Sequence, residues 1–278
     1  ESRKIQEIVR IEKNDAHRVV EGCMIAANRC AADFLKDENS IFIKHAGVRS
    51  ERVDGIKKVL AAEAPELAEI DFTSLTGYIE LVHKLGQLNT DQPLNSIISR
   101  MLERSLISNN SAEHHGLGFN AYTTFTSPLR KYNDFLVHRC IRAKLENQPL
   151  PAIDDATIEQ LQTRLDNSRS AAWQQELWLV CQYLENHKDT VFDATVQHVH
   201  GGGFTVRLEQ SGIEGFVDIR SLEGKYSFDA EYLLFKKGEE IYQLEKKVKV
   251  KIAELEPLQR KLKFEIAKAT PEANAPEK

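Results

Sequence analysis

The sequence predicts an α+β chain: a mainly helical part over residues 1–187, a five-stranded β-barrel over residues 188–268, and a disordered polar tail over residues 269–278. Three observations carry this. Apolar residues keep a helical period through most of the first part, up to Asn186. From Asp189 the pattern changes to short alternating runs set between glycine-bearing turns. Five such runs suit the small barrel of the OB-fold.

The first helix is expected from Ala16 to Leu35, with Val20, Cys23, Ala27, Cys30 and Phe34 on one apolar side and Glu21, Ile25 and Asn28 on another. A carboxylate on so apolar a helix needs a partner or a function, and Arg18 is the near cation. Ile41 to Val48 reads as a strand entering a turn. Glu51 to Leu60 and Leu75 to Gly86 read as short helices, with Pro65 and Asp71 in their linker. Asn95 to Ile107 reads as a helix burying Ile97, Ile98, Met101, Leu102 and Leu106. Gly116 and Gly118 lead into an extended segment holding Tyr122 and Phe125. Thr157 to Asn186 is one long helix or a kinked pair, with Leu161, Leu165, Leu177, Leu179, Val180 and Leu184 as its apolar faces. Strands follow over residues 191–196, 201–208, 212–220, 248–255 and 261–266, the last two forming a hairpin around Pro257.

Composition sets outer limits. A chain of 278 residues has room for two domains. Its 41% hydrophobic and 28% charged residues are those of a soluble globular protein. No apolar run is long enough to span a bilayer, so no membrane partner is expected. No basic segment precedes an apolar one as in a secretory leader. Cys23, Cys30, Cys140 and Cys181 lack paired metal-ligand spacing, and reduced cytoplasmic thiols are the simplest account. A net charge of −5 argues against nonspecific polyanion binding but allows a local basic channel. The chain opens without methionine, which reads as a piece of a longer protein.

Chemistry concentrates in Tyr122 to Arg139. Ser127 can cap a helix, Pro128 suits its first position, and Arg130 falls in the first turn beside unpaired N–H groups. Those N–H groups, the positive dipole end and a guanidinium make a phosphate site. Asp134, one turn on, can orient Arg130, while Leu129, Phe135, Leu136, Ile141 and Leu145 can bury the helix. The same residues fit an ordinary capped helix with a surface ion pair, and spacing alone leaves both readings open.

The string Phe125, Thr126, Ser127, Pro128, Leu129, Arg130, Lys131, Tyr132, Asp134, His138, Arg139 resembles the signature of the ribonuclease II family, in the carboxyl-terminal part of its RNB catalytic domain. Val19 to Asn28 resembles the family's "valine–glutamate–glutamate–x–methionine–x–x–alanine–asparagine" helix, and Glu113 to Gly118 the segment before the signature. The resemblance implies a bacterial exoribonuclease II-like enzyme, a processive 3′→5′ hydrolase of single-stranded RNA that releases nucleoside 5′-monophosphates with magnesium. It implies that Arg130 is catalytic, holding the scissile phosphate while metal-activated water attacks in line. It implies that Glu21 faces the 3′ end of RNA, where ribose 2′-OH contacts distinguish RNA from DNA. Tyr122 is placed among the RNA contacts, where it either stacks on a base or packs.

The family's magnesium-binding aspartates lie upstream of the Glu21 helix, so the magnesium ligands are expected outside this sequence and no metal ligand is assigned here. Ile153, Asp154, Asp155 and Ala156 echo the end of that motif, but Asp154 or Asp155 reads better as a cap or first-turn acid for the next helix. A glutamate–arginine pair usual in the family falls on Ala172 and Trp173, with Glu176 one turn later.

The order of the last elements resembles the RNA-binding OB domain first seen in ribosomal protein S-one. Phe204 matches its second-strand aromatic, and Gly215, Phe216, Val217, Asp218 match its "glycine–leucine–valine–histidine". The first aromatic of the usual pair falls on Gly201, and the histidine becomes Asp218. Phe204 is expected to stack a base, although Phe204 or Phe216 also fits a core. Arg207, Lys249, Lys251 and Lys263 offer a basic surface, Lys249 and Lys251 on one face by alternation; exposed lysines also serve solubility. The expected protein is a cytoplasmic monomer whose partner is single-stranded RNA. The alternatives are a non-catalytic single-stranded RNA-binding module and, more weakly, a DNA-directed OB protein.

Overall fold

The computed structural model describes residues 4–9, 11–88 and 90–267, so the tail expected over residues 269–278 lies outside the described residues. The chain forms two compact units, Glu12–Ser170 and Glu1–Ile11 with Ala171–Lys278.

In Glu12–Ser170, helix α1 (Asp15–Leu35) starts at Asn14, whose side chain accepts the His17 N–H at 3.1 Å in a capping box. Its buried stripe is Asn28, Ala31, Ala32 and Leu35, not the expected Val20–Phe34 side. Val20 is 58% and Phe34 40% exposed, and Cys23 and Cys30 are exposed. Only the last turns of α1 are covered, and the small Ala31 and Ala32 let Ile41, Phe42, Val137 and Cys140 close on them.

Strand β1 (Phe42–Lys44) is followed by α2 (Val53–Glu63), α3 (Leu75–Leu85) and α4 (Leu94–Arg100). The helix expected over residues 95–107 stops at Arg100. The Arg49 guanidinium donates to Arg100 O (2.6 Å) and Met101 O (3.3 Å), capping the last carbonyls. Strand β2 (Leu106–Ser108) then pairs antiparallel with β1. Helix α5 (Tyr132–Leu145) buries Leu136, Val137 and Cys140 in the same core as α1. Leu129, Phe135 and Leu145, expected to bury it, are exposed. Helix α6 (Asp155–Leu184) is one continuous helix. Asp154 caps it, accepting the Thr157 N–H (2.8 Å) and hydroxyl (2.6 Å).

The division between compact units falls after Ser170. The end of α6 buries Val180, Cys181 and Leu184, and Cys181 Sγ–H points to Lys261 O at 3.8 Å. Lys261 belongs to the barrel, so this half of the helix packs with the strands.

The barrel strands are β3 (Phe192–His200), β4 (Gly203–Leu208), β5 (Glu214–Asp218), β9 (Lys247–Glu256) and β10 (Lys261–Ile266). They close in the order β10–β5–β4–β3–β9, with β5 and β10 parallel. All five are the runs that alternation marks in the sequence. Between β5 and β9 lies a separate antiparallel sheet of β6 (Ser227–Asp229), β7 (Leu234–Lys237) and β8 (Glu240–Tyr242), which sequence reasoning missed. Gly238, at φ 61°, turns β7 into β8 between Leu234-Phe235 and Ile241-Tyr242, and was the available signal. The barrel interior holds Val196, Val199, Phe204, Val206, Val217, Val250 and Phe264. Gly215 lets Phe264 fit, since a Cβ there would stand 2.4 Å from Phe264 Cε2. A bulge between Val196 and His198 shifts the inward parity of β3, so His198 and His200 both face out.

Candidate nucleic-acid interface

The segment from Ala121 to Thr126 is built into the first unit by side chains of α1 and α5. Asn28 holds it at two points: its Nδ2 donates to Tyr122 Oη (2.8 Å), and its Oδ1 accepts the Phe125 N–H (2.8 Å). Thr123 Oγ1 donates to Ile41 O (2.5 Å) and Asn133 Nδ2 to Thr124 Oγ1 (2.6 Å). His138 stacks flat on Phe125, with centroids 4.0 Å apart and planes at 4°. Its Nε2 lies 2.8 Å from Phe125 O, so Nε2 carries the proton and donates.

Next comes a closed turn, not the start of a helix. Ser127 O accepts the N–H groups of Arg130 (3.2 Å) and Lys131 (3.0 Å), and α5 begins only at Tyr132. Pro128 sits at the second turn position, where its fixed φ belongs. Arg130 is therefore one turn ahead of α5, a correction to its expected place in the first helical turn. Asp134 does not orient it. That carboxylate is 1% exposed and accepts the Ser127 N–H at 2.9 Å. Asp134 is also the acidic residue of the first turn of α5, a favourable place for a carboxylate. The Arg130 side chain is exposed and makes no hydrogen bond or ion pair among the described residues. Nearby, Pro128, Phe135, His138 and Arg139 line a groove of about 690 Å³.

Tyr122 is 8% exposed and packs edge-on to His114, so it is a core residue with no face for a base. Glu21 is exposed and pairs with Lys13 (2.9 Å), while Arg18 pairs with Asp15. Beside Tyr122, His45 and His114 stack at 5.2 Å in a buried cluster with His115. Burial lowers the His45 and His114 pKa values, with His114 reaching about 4; Glu103 opposes the shift at His45. Folded pKa values lie below the ordinary 6.5, so the unfolded chain binds the extra protons. The stability these groups contribute is present above pH 6.5 and is lost as pH falls toward about 4. The urea midpoint is expected to drop across that window, and His114→Phe to flatten the drop; a profile unchanged by His114→Phe would place the protons elsewhere.

On the barrel, Phe204 is fully buried and stacks on Tyr242 at 5.0 Å, so it is core and cannot meet a base. The barrel's expected basic residues are matched by carboxylates on neighbouring strands. Arg207 pairs with Glu214 (2.6 Å), Lys249 with Asp193 (2.8 Å), Lys251 with Glu265 (2.9 Å) and Lys263 with Glu254 (3.0 Å). Lys249 and Lys251 do share the exposed face, but these cross-strand pairs neutralise it. Asp218, in the histidine's place, is held far below the usual carboxylate range by hydrogen bonds from Arg220. Lys225 and Lys236, on the inserted segment, have no side-chain partner among the described residues.

The RNB domain family matches residues 1–147 and the S1 RNA binding domain family residues 185–267. The chain belongs to the RNB, or ribonuclease II, family. Among curated proteins it is 32% identical over 274 residues to "Exoribonuclease 2" of Haemophilus influenzae (strain 86-028NP), an alignment covering 92% of this chain and 41% of that protein. The chain thus spans about two-fifths of the length of that relative. Mycoplasma genitalium RNase R in complex with ribose methylated single-stranded RNA shares its fold, with a TM-score of 0.68 at 17% identity over 92% of this chain and 42% of that one. Yeast Ssd1, described as a pseudonuclease, does so with a TM-score of 0.58 at 20% identity over 81% of this chain and 29% of that one.

Within this RNB chain, no three His, Cys, Asp or Glu side chains among the described residues group to hold a metal ion. Asp154 is committed to its cap, and Asp155 accepts from Asn109 Nδ2 (3.0 Å). The described residues therefore do not fit a magnesium site. Among them no helix is long and apolar enough to cross a membrane. Ala172, Trp173 and Glu176, where the family carries its glutamate–arginine pair or its neighbour, are exposed. The clamp of Asn28, Asp134 and His138 was missed as a unit, although each residue lies within the two RNB motifs.

Proposed function

We propose that the intact protein is a processive, hydrolytic 3′→5′ exoribonuclease that degrades single-stranded RNA to nucleoside 5′-monophosphates. In this reading residues 1–187 belong to its catalytic domain and residues 188–268 form its RNA-binding domain. The observation that carries it is the exposed Arg130 turn, held by Asn28, Asp134 and His138 within the RNB-matched chain. The Arg130 fork suits two phosphate oxygens and can offset charge that develops on them. Glu21 accepts a ribose hydroxyl at the RNA 3′ end. Magnesium is the metal of the intact enzyme, with its ligands outside this chain. The enzyme works as a cytoplasmic monomer. A second reading, a single-stranded RNA-binding module without catalysis, draws support from the likeness to a pseudonuclease.

The 278-residue chain by itself is expected to bind single-stranded RNA without releasing mononucleotides when magnesium is added. Binding should weaken with salt by about −0.7 in log–log slope per phosphate neutralised. Anisotropy and a thin-layer assay of labelled oligonucleotide measure both. Mononucleotide release would put the metal ligands within this chain and return attention to Asp154 and Asp155. Failure to bind at low salt would sink the RNA-binding role. In full-length protein, turnover of a single-stranded substrate separates the enzyme from the binding module.

A further inference from the structure

With Phe204 buried, other rings must meet the bases if the second unit binds RNA. Three consecutive glycines, Gly201, Gly202 and Gly203, leave the turn between β3 and β4 without side chains. Rings from three segments gather about that bare turn. Phe216 of β5 lies over Gly203, where an added Cβ would stand 2.7 Å from Phe216 Cζ and 2.1 Å from Val217 O. His200 of β3 lies parallel to Phe216, with centroids 5.3 Å apart and planes at 2°. Its Nδ1 accepts the Gly202 N–H at 3.3 Å, which fixes the ring. The third ring is Phe228, delivered by β6 of the inserted sheet. It lies against Gly201, where an added Cβ would meet Phe228 Cδ1 at 3.8 Å. Phe228 rests on the buried Phe235, with centroids 5.2 Å apart, yet stays 37% exposed. It is thus held from behind with ring surface open to solvent.

We propose that Phe228 is a base-stacking residue for single-stranded RNA, completing with His200 and Phe216 a ring platform around Gly201 to Gly203. Every nucleobase has a π-face, so such a platform takes single strands without a sequence requirement. Lys263, in register with Phe216 on β10, lies on the same outward row, where it is paired with Glu254. The inserted sheet therefore has a binding role: it carries a ring to a turn that has none of its own. The proposal rests on the RNA-binding reading of this unit.

Anisotropy of a labelled oligoadenylate with the whole 278-residue chain tests it. Phe228→Leu keeps an apolar contact with Phe235 but removes the π-face. It is expected to weaken binding about 5- to 100-fold and to leave the salt slope unchanged. Phe228→Tyr should bind like the parent. Gly201 is not among the positive-φ glycines, so a ring can stand there; Gly201→Phe added to Phe228→Ala should recover affinity. Parental affinity in Phe228→Leu, beside a weakened Phe216→Leu, would overturn the role of Phe228 and leave RNA binding standing. A parental chain that binds no oligoadenylate at low salt would overturn both.

Discussion

Arg130→Lys in the full-length enzyme is expected to lower turnover about 10²–10³-fold, the scale seen when one preorganised donor is removed from a transition state. The substitution keeps the positive charge. It loses the planar fork that can meet two phosphate oxygens at once. RNA affinity should stay near parental, because in the proposed role Arg130 meets one phosphate among the many that share the binding. The structure gives this change little room to act through folding. Arg130 is exposed, and its side chain has no hydrogen-bond or ion-pair partner among the described residues. Its backbone N–H, bonded to Ser127 O, is untouched by the substitution. Single-turnover cleavage and equilibrium binding separate the two quantities. Cleavage at the parental rate would remove Arg130 from the chemistry.

Asn28→Ala should cost the 278-residue chain stability, through one buried and one half-buried group at once. The Phe125 N–H and the Tyr122 hydroxyl would both lose their partner. Each orphaned group costs about 1–3 kcal/mol, so the loss is expected at about 2–6 kcal/mol. Tyr122→Phe in the same chain removes one of the orphans and should restore part of it, a coupling that a double-mutant cycle reads directly. Urea midpoints for the four chains decide the matter, and an unshifted midpoint in Asn28→Ala would mean that the clamp is not a structural tie. Cleavage by full-length Asn28→Ala should also fall, because Phe125 lies just before the turn that presents Arg130.

Periodicity was a sound guide wherever local pattern and tertiary packing agree. The five barrel strands, α2, α3, the length of α6 and the Asp154 cap all stand where their residues point. Periodicity failed where a distant side chain decides the outcome. Arg49 caps carbonyls of Arg100 and Met101 from elsewhere in the chain, so α4 ends early despite the apolar run beyond it. The Ser127 to Arg130 stretch carries every local mark of a helix start. Yet Asp134 draws the Ser127 N–H toward itself, and a closed turn precedes α5. A cap and a turn use the same residue types, so composition cannot separate them.

The candidate site divides in the same way. By itself the sequence determined most of the helices, the barrel's strands, the family motifs and the arginine that carries the proposed chemistry. These depend on residue type and spacing, which are local and countable. Tertiary structure alone decided which side of each element is covered. It put Tyr122 and Phe204 in cores, set carboxylates against the Arg207, Lys249 and Lys251 cations, and brought Phe228 to a bare glycine turn. Burial and pairing depend on what the rest of the chain brings alongside, and neighbours distant in sequence leave no mark in the pattern of any one segment.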